Sequence, residues 1–165
     1  MLIPPPPLKG RASCPTPFAR RSILTYCIGA AALLGSASRS KAATTTLKAN
    51  LSGTSEVPPN NAVGRGAVTV TYDPATKQVT WSGTYEGLTG PVTAAHIHGP
   101  GEEGKNAPPV IWLTKKGEEN PNFMSPFKGS AELTEEQARQ LMFGRYYVNI
   151  HTKANPAGEI RGQLV

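Results

Sequence analysis

The chain has 165 residues, enough for one domain with a leader or tail. Its formal charge of +6 suggests a nucleic-acid or anionic-membrane partner, but the excess is local. Six basic and no acidic residues precede Ala43, whereas eleven of each follow it, so the charge of the main part argues against nucleic acid.

Residues 1–42 read as an export signal. A basic stretch, "FARRSILTYC", leads into an apolar run from Ile23 to about Ala37, and small residues follow. The run is shorter than the roughly 20 apolar residues of a membrane span. Cleavage after Ala37 or Ala42 is therefore expected, leaving no stable membrane insertion; the alternative is an uncleaved N-terminal anchor. The paired Arg20 and Arg21 ahead of Ile23 and Leu24 resemble a twin-arginine signal, which implies a periplasmic or secreted protein. Both cysteines, Cys14 and Cys27, fall in this segment. Residues 43–165 thus carry no disulfide, thiolate ligand or cysteine nucleophile and must fold by core packing alone.

From Thr44 onward short alternating runs are separated by Gly, Pro and Asn. "TTLKANLSG" predicts a first strand. "GAVTVTYDPATKQVTWSGTYEG" predicts a hairpin: Val68, Val70 and Tyr72 alternate with threonines, "DPAT" turns, and Val79, Trp81 and Tyr85 alternate on the return. "PVTAAHIH", "PVIWLT", "FKGSAEL", "RYYVNIHT" and "EIRGQLV" continue the series to about eight strands. "LTEEQARQLMFG" breaks the pattern. Thr134 and Gln137 make a capping box, acids fill the first turn and Gly144 follows the end, predicting a short helix at about 134–143. The expected fold is all-β, an antiparallel Greek-key-like sandwich with one short helix, forming a single domain over residues 43–165. Trp81, Tyr85, Trp112, Phe127 and Tyr146 read as core anchors.

The chain has three histidines, His96, His98 and His151. Side chains alternate across a strand, so His96 and His98 share one face with Ala95 and Ile97 opposite. In "RYYVNIHT", Tyr147, Asn149 and His151 share a face. Three strand imidazoles suit copper or zinc, with a fourth position left for water or an outside ligand. The competing reading is structural: histidines at strand ends holding the carbonyls of the "GPGEEGKNAP" loop. Glu159 offers a fourth or supporting ligand, whereas Arg161 reads as structural. No nucleophile elbow or phosphate-cradling glycine loop occurs. Glu102–Glu103 and Glu118–Glu119 read as solvated pairs.

"LSGTSEVPP", "AAHIHGPGEEGKNAPPVIWL" and "YYVNIHTKANPAGEIRGQL", in that order, resemble the CHRD domain over about residues 45–165. That family takes its name from chordin, a secreted antagonist of bone morphogenetic proteins, and also occurs singly in exported bacterial proteins. The resemblance implies an all-β extracytoplasmic domain and no particular reaction. "HIHG" is locally similar to the copper-binding strand of Cu/Zn superoxide dismutases, where His96, His98 and His151 would match copper ligands. A fourth histidine, a zinc loop and the disulfide are missing. The expectation is an exported, non-enzymatic binding module with a Cu or Zn site at His96, His98 and His151, and a protein or glycan partner. The alternatives are a metalloenzyme, dismutase-like or zinc-hydrolytic, and a structural or adhesive sandwich.

Overall fold

The computed structural model describes residues 43–116 and 123–165; the expected export signal (1–42) and the Glu118–Glu119 pair lie outside the described residues. Eight strands form: β1 (Thr45–Ser52), β2 (Arg65–Asp73), β3 (Gln78–Glu86), β4 (Val92–His98), β5 (Pro109–Trp112), β6 (Phe127–Glu132), β7 (Tyr147–Thr152) and β8 (Ile160–Gln163). One helix, α1 (Glu135–Met142), lies between β6 and β7. The expected all-β antiparallel architecture is present. Its strands join in one continuous sheet of order β5-β4-β7-β8-β1-β2-β3-β6. β1 makes the join, pairing along its length with β2 and through Ser52 with Arg161 of β8. Leu47, Val70 and Val79 from one half share a single core with Ile97, Val148 and Ile160 from the other. The sheet must therefore curl, nearly to a barrel, to bring its two halves face to face.

The two halves bury themselves differently. In β2 and β3, Val68, Val70, Val79 and Trp81 point inward, while Thr69, Thr71, Thr80 and Ser82 keep contact with solvent. This is the period-2 pattern of a sheet with one wet face. In β4 and β7 both faces are buried. Ala95, Ile97, Val148 and Ile150 enter the core, yet His96, His98, Tyr147 and Asn149 on the other face are buried too. That second face is covered by the 99–108 loop, and it positions the site described below.

Helix α1 starts where the capping box places it. The Thr134 hydroxyl accepts from the Gln137 backbone N–H at 3.2 Å, and Gln137 Oε1 accepts from the Thr134 N–H at 2.9 Å. Ala138 and Leu141 face the core, and Gly144 takes the left-handed φ of 68° that ends the helix. Among the described residues no helix is long and apolar enough to cross a membrane.

The register of the edge strand β6 is set by two aromatic–glycine pairs. Trp81 lies opposite Gly129 and Phe127 opposite Gly83, and each ring covers the space that a Cβ on its glycine would take. Glycine is normally a poor strand residue, but here its missing side chain makes room for the ring. We predict that Gly129→Ala, which drives a methyl into the buried indole, costs about 1–3 kcal/mol and lowers the melting temperature measured by circular dichroism.

Candidate metal centre

Strands β4 and β7 pair with His96 opposite Asn149, His98 opposite Tyr147 and His151 opposite Ala94. His151 is thus the diagonal neighbour of His96 on the same face, within reach of an imidazole. A register shift between Val92 and Ala94 precedes this pairing. One ring nitrogen from each histidine lies within 4.8 Å of the other two, and among the described residues no other metal-type cluster forms. His96 Nδ1 and His151 Nε2 are 3.2 Å apart. A tetrahedral ion with ~2.0–2.1 Å bonds holds its ligand nitrogens about 3.3 Å apart. That spacing fits, and one at the 4.8 Å limit must contract by about 1.5 Å.

Hydrogen bonds assign two of the tautomers. His98 Nδ1–H donates to the Ala107 carbonyl at 2.8 Å, and His151 Nδ1–H donates to the Pro156 carbonyl at 3.0 Å. Both rings therefore carry their lone pair on Nε2. Donation of the outer N–H to a backbone carbonyl is how a ligand imidazole is usually oriented. The Nε2 atoms of His96 and His98 are buried and have no hydrogen-bond partner among the described residues. Structural histidines in an interior normally satisfy both nitrogens.

The surroundings of His98 form a stack. Tyr147 lies parallel to His98 at 4.9 Å between ring centroids, and the Arg161 guanidinium carbon sits 3.4 Å from the Tyr147 centroid. Arg161, only 2% exposed, donates to Asn106 Oδ1 at 3.0 Å and to the Lys105 carbonyl at 2.7 Å. Gln163 donates to the Gly101 carbonyl at 3.1 Å, and the Tyr147 hydroxyl accepts from the Ala107 N–H at 3.0 Å. Arg161, read from the sequence as structural, holds the 99–108 loop. Trp112, expected as a core anchor, is only partly buried and packs edge to face on His96 at 4.2 Å.

Glu159 is not part of the cluster. Fully buried, it accepts from the Thr89 N–H and hydroxyl, each at 2.7 Å, and from the Thr152 hydroxyl. Burial opposes its charge, but these hydrogen bonds and one from Asn155 outweigh that and hold its pKa below the usual carboxylate value. The residues that the sequence reading missed are Tyr147, Asn149 and Glu56. Asn149 donates to Glu56 Oε2 at 3.0 Å, while Glu56 Oε1 has no partner among the described residues. The signal for Tyr147 and Asn149 was a β7 face that carries tyrosine, amide and imidazole in place of threonine, whereas Glu56 lies outside the strands.

Burial, and then the neighbouring rings of His151 and His98, push His96 down to about 4. Burial lowers His98 against the opposing Ala107 hydrogen bond, and His151 and Arg161 lower it further. Burial also lowers His151, with the Pro156 carbonyl opposing. Glu56 goes the other way. Burial raises it to about 7 against the pull of Arg161 and the hydrogen bonds of Asn149 and Val57. Between pH 4.5 and about 7 the folded chain holds a proton on Glu56 that the unfolded chain has lost, so this group's contribution to stability falls as pH rises through that window. The histidines have the opposite sign, since the unfolded chain binds their protons first. We predict that Glu56→Gln is about 1–3 kcal/mol more stable than the parent at pH 8, with the gain vanishing as pH falls towards 4.5, measured by urea unfolding.

The match to known families follows this geometry. The family model described as the CHRD domain matches residues 47–164. Searches of curated proteins and of solved structures found no match. β4, β7 and the 99–108 loop all lie within the matched span, and the chain belongs to the CHRD-domain family.

Proposed function

We propose that this CHRD domain is a non-enzymatic metal-binding module, exported to the periplasm or the exterior, that holds copper or zinc between His96, His98 and His151. The observation that carries this reading is the convergence of three imidazoles within 4.8 Å, with a buried His98 Nε2 that has no hydrogen-bond partner among the described residues. Lone pairs buried without donors cost about 1–3 kcal/mol each, and a cation is what removes that cost. The structural reading explains the Nδ1 contacts of His98 and His151, and the His151 Nε2 that accepts from His96 Nδ1–H at 3.2 Å, but leaves His98 Nε2 without a role. An ion between His96 and His151 would take the place of that hydrogen bond, with His98 Nε2 as its third ligand.

His151 is the least buried of the three histidines, so an ion would enter most readily beside it. Enzyme chemistry at the same centre would need a proton-transfer group beside the fourth position. Glu159 supports no such role, because Thr89 and Thr152 claim its carboxylate, and Glu56, bonded to Asn149, stands outside the histidine cluster.

Full-length protein purified without a histidine tag is expected to carry or take up close to one equivalent of copper or zinc. The His96→Ala/His98→Ala variant should lose it while keeping its far-ultraviolet circular dichroism. A metal-free parent that refuses both ions overturns the proposal. Protons compete with the ion for imidazole nitrogen, and the lowered pKa values shift that competition to more acid solution. Metal should therefore be retained through the ordinary histidine range of about 6.5 and be released only below it, as read by equilibrium dialysis across a pH series.

A further inference from the structure

Taking the three histidines as a metal site, we infer that the site selects a monovalent ion, Cu(I), over divalent zinc or copper. The argument is one of charge. The ligand set is three neutral imidazoles, and the cluster contains no carboxylate or thiolate. The groups that accept from the outer N–H of His98 and His151 are the amide carbonyls of Ala107 and Pro156. A carboxylate in those places would push electron density onto the ring and favour a higher metal charge. Neutral carbonyls push much less.

Among the described residues the ionic groups stacked towards the cluster are cations, Lys116 over the Trp112 ring at 6.0 Å and Arg161 at closer range. Arg161 lies on Tyr147, and Tyr147 lies on His98, so its charge opposes any bound ion and opposes a divalent one twice as strongly. The two buried acids stand outside the cluster and give the ion no anionic ligand. Glu56 is hydrogen-bonded to Asn149, and Glu159 to Thr89 and Thr152.

Desolvation acts in the same direction. His96 and His98 are 6% and 9% exposed, with Trp112 against the first and Tyr147 against the second. The Born cost of bringing an ion into such surroundings rises with the square of its charge. Zinc also takes four ligands as a rule and would have to bring a water into this wall of rings. Cu(I) is content with two or three nitrogen ligands. Charge, second contacts and coordination number thus agree.

The test is competition for the full-length chain. Cu(I), kept reduced with ascorbate under anaerobic conditions, is titrated against bicinchoninate; Zn(II) is titrated against a chromophoric zinc chelator. One equivalent of Cu(I) bound at least a thousand times more tightly than Zn(II) is expected. His151→Asp supplies the missing anionic ligand at the partly exposed position and should narrow that ratio tenfold or more. Arg161→Gln, which removes the facing cation and keeps amide donors for the loop, should narrow it as well and serves if the first variant folds poorly. Zinc binding as tightly as Cu(I), or a ratio that neither folded variant changes, overturns the charge argument and leaves the metal site standing. Failure to bind either ion, or equal binding by His96→Ala/His98→Ala, overturns the site itself.

Discussion

The site depends on the 99–108 loop closing over the outer face of β4, β7 and β8, and that closure is centred on the backbone of Ala107. Its carbonyl accepts from His98 Nδ1 and from the Tyr147 hydroxyl, and its N–H donates back to the same hydroxyl. Take the loop away and His98 becomes a surface residue with a free tautomer. With the loop in place the ring is dry and fixed, and its one remaining nitrogen is turned inward. Arg161 and Gln163 hold the loop down from β8, so the chemistry of the face and the closure of the loop are one arrangement.

Such a layer is costly to bury. A guanidinium, two amides, a phenol and three imidazoles lie where other sandwiches keep solvent, and each must find partners or raise the energy of the fold. The opposite half of the sheet carries the compensation. β1, β2 and β3 alternate cleanly, their Val, Leu and Trp side chains fill the core, and their outer threonines cost nothing in solvation. Because both halves share one core, stability gained on one side is available to hold polar groups on the other.

Much of this was legible in the residues. Val68, Val70 and Val79 alternate with polar neighbours and have no good alternative to strands, and the Thr134–Gln137 box fixes a helix start from four residues. The shared face of His96 and His98 follows from strand geometry alone. The approach of His151 did not, because it requires β4 to pair with β7, some fifty residues away, in one particular register. Nor was the burial of Tyr147 and Asn149 visible, since a strand's polar face looks the same whether water or a loop lies over it. Glu159 shows the limit of parity: it lies two residues before Arg161 but just outside β8, and the hydroxyls of Thr89 and Thr152 claim its carboxylate.

The edge-to-face contact of Trp112 with His96 has a consequence of its own. The chain has two tryptophans; Trp81 is a core residue, and Trp112 touches a ring of the cluster. An open-shell ion quenches an indole this close, whereas a closed-shell one leaves its excited state largely intact. An ion held by the histidines as proposed would therefore couple the emission of this protein to its own electronic state, with no dye attached.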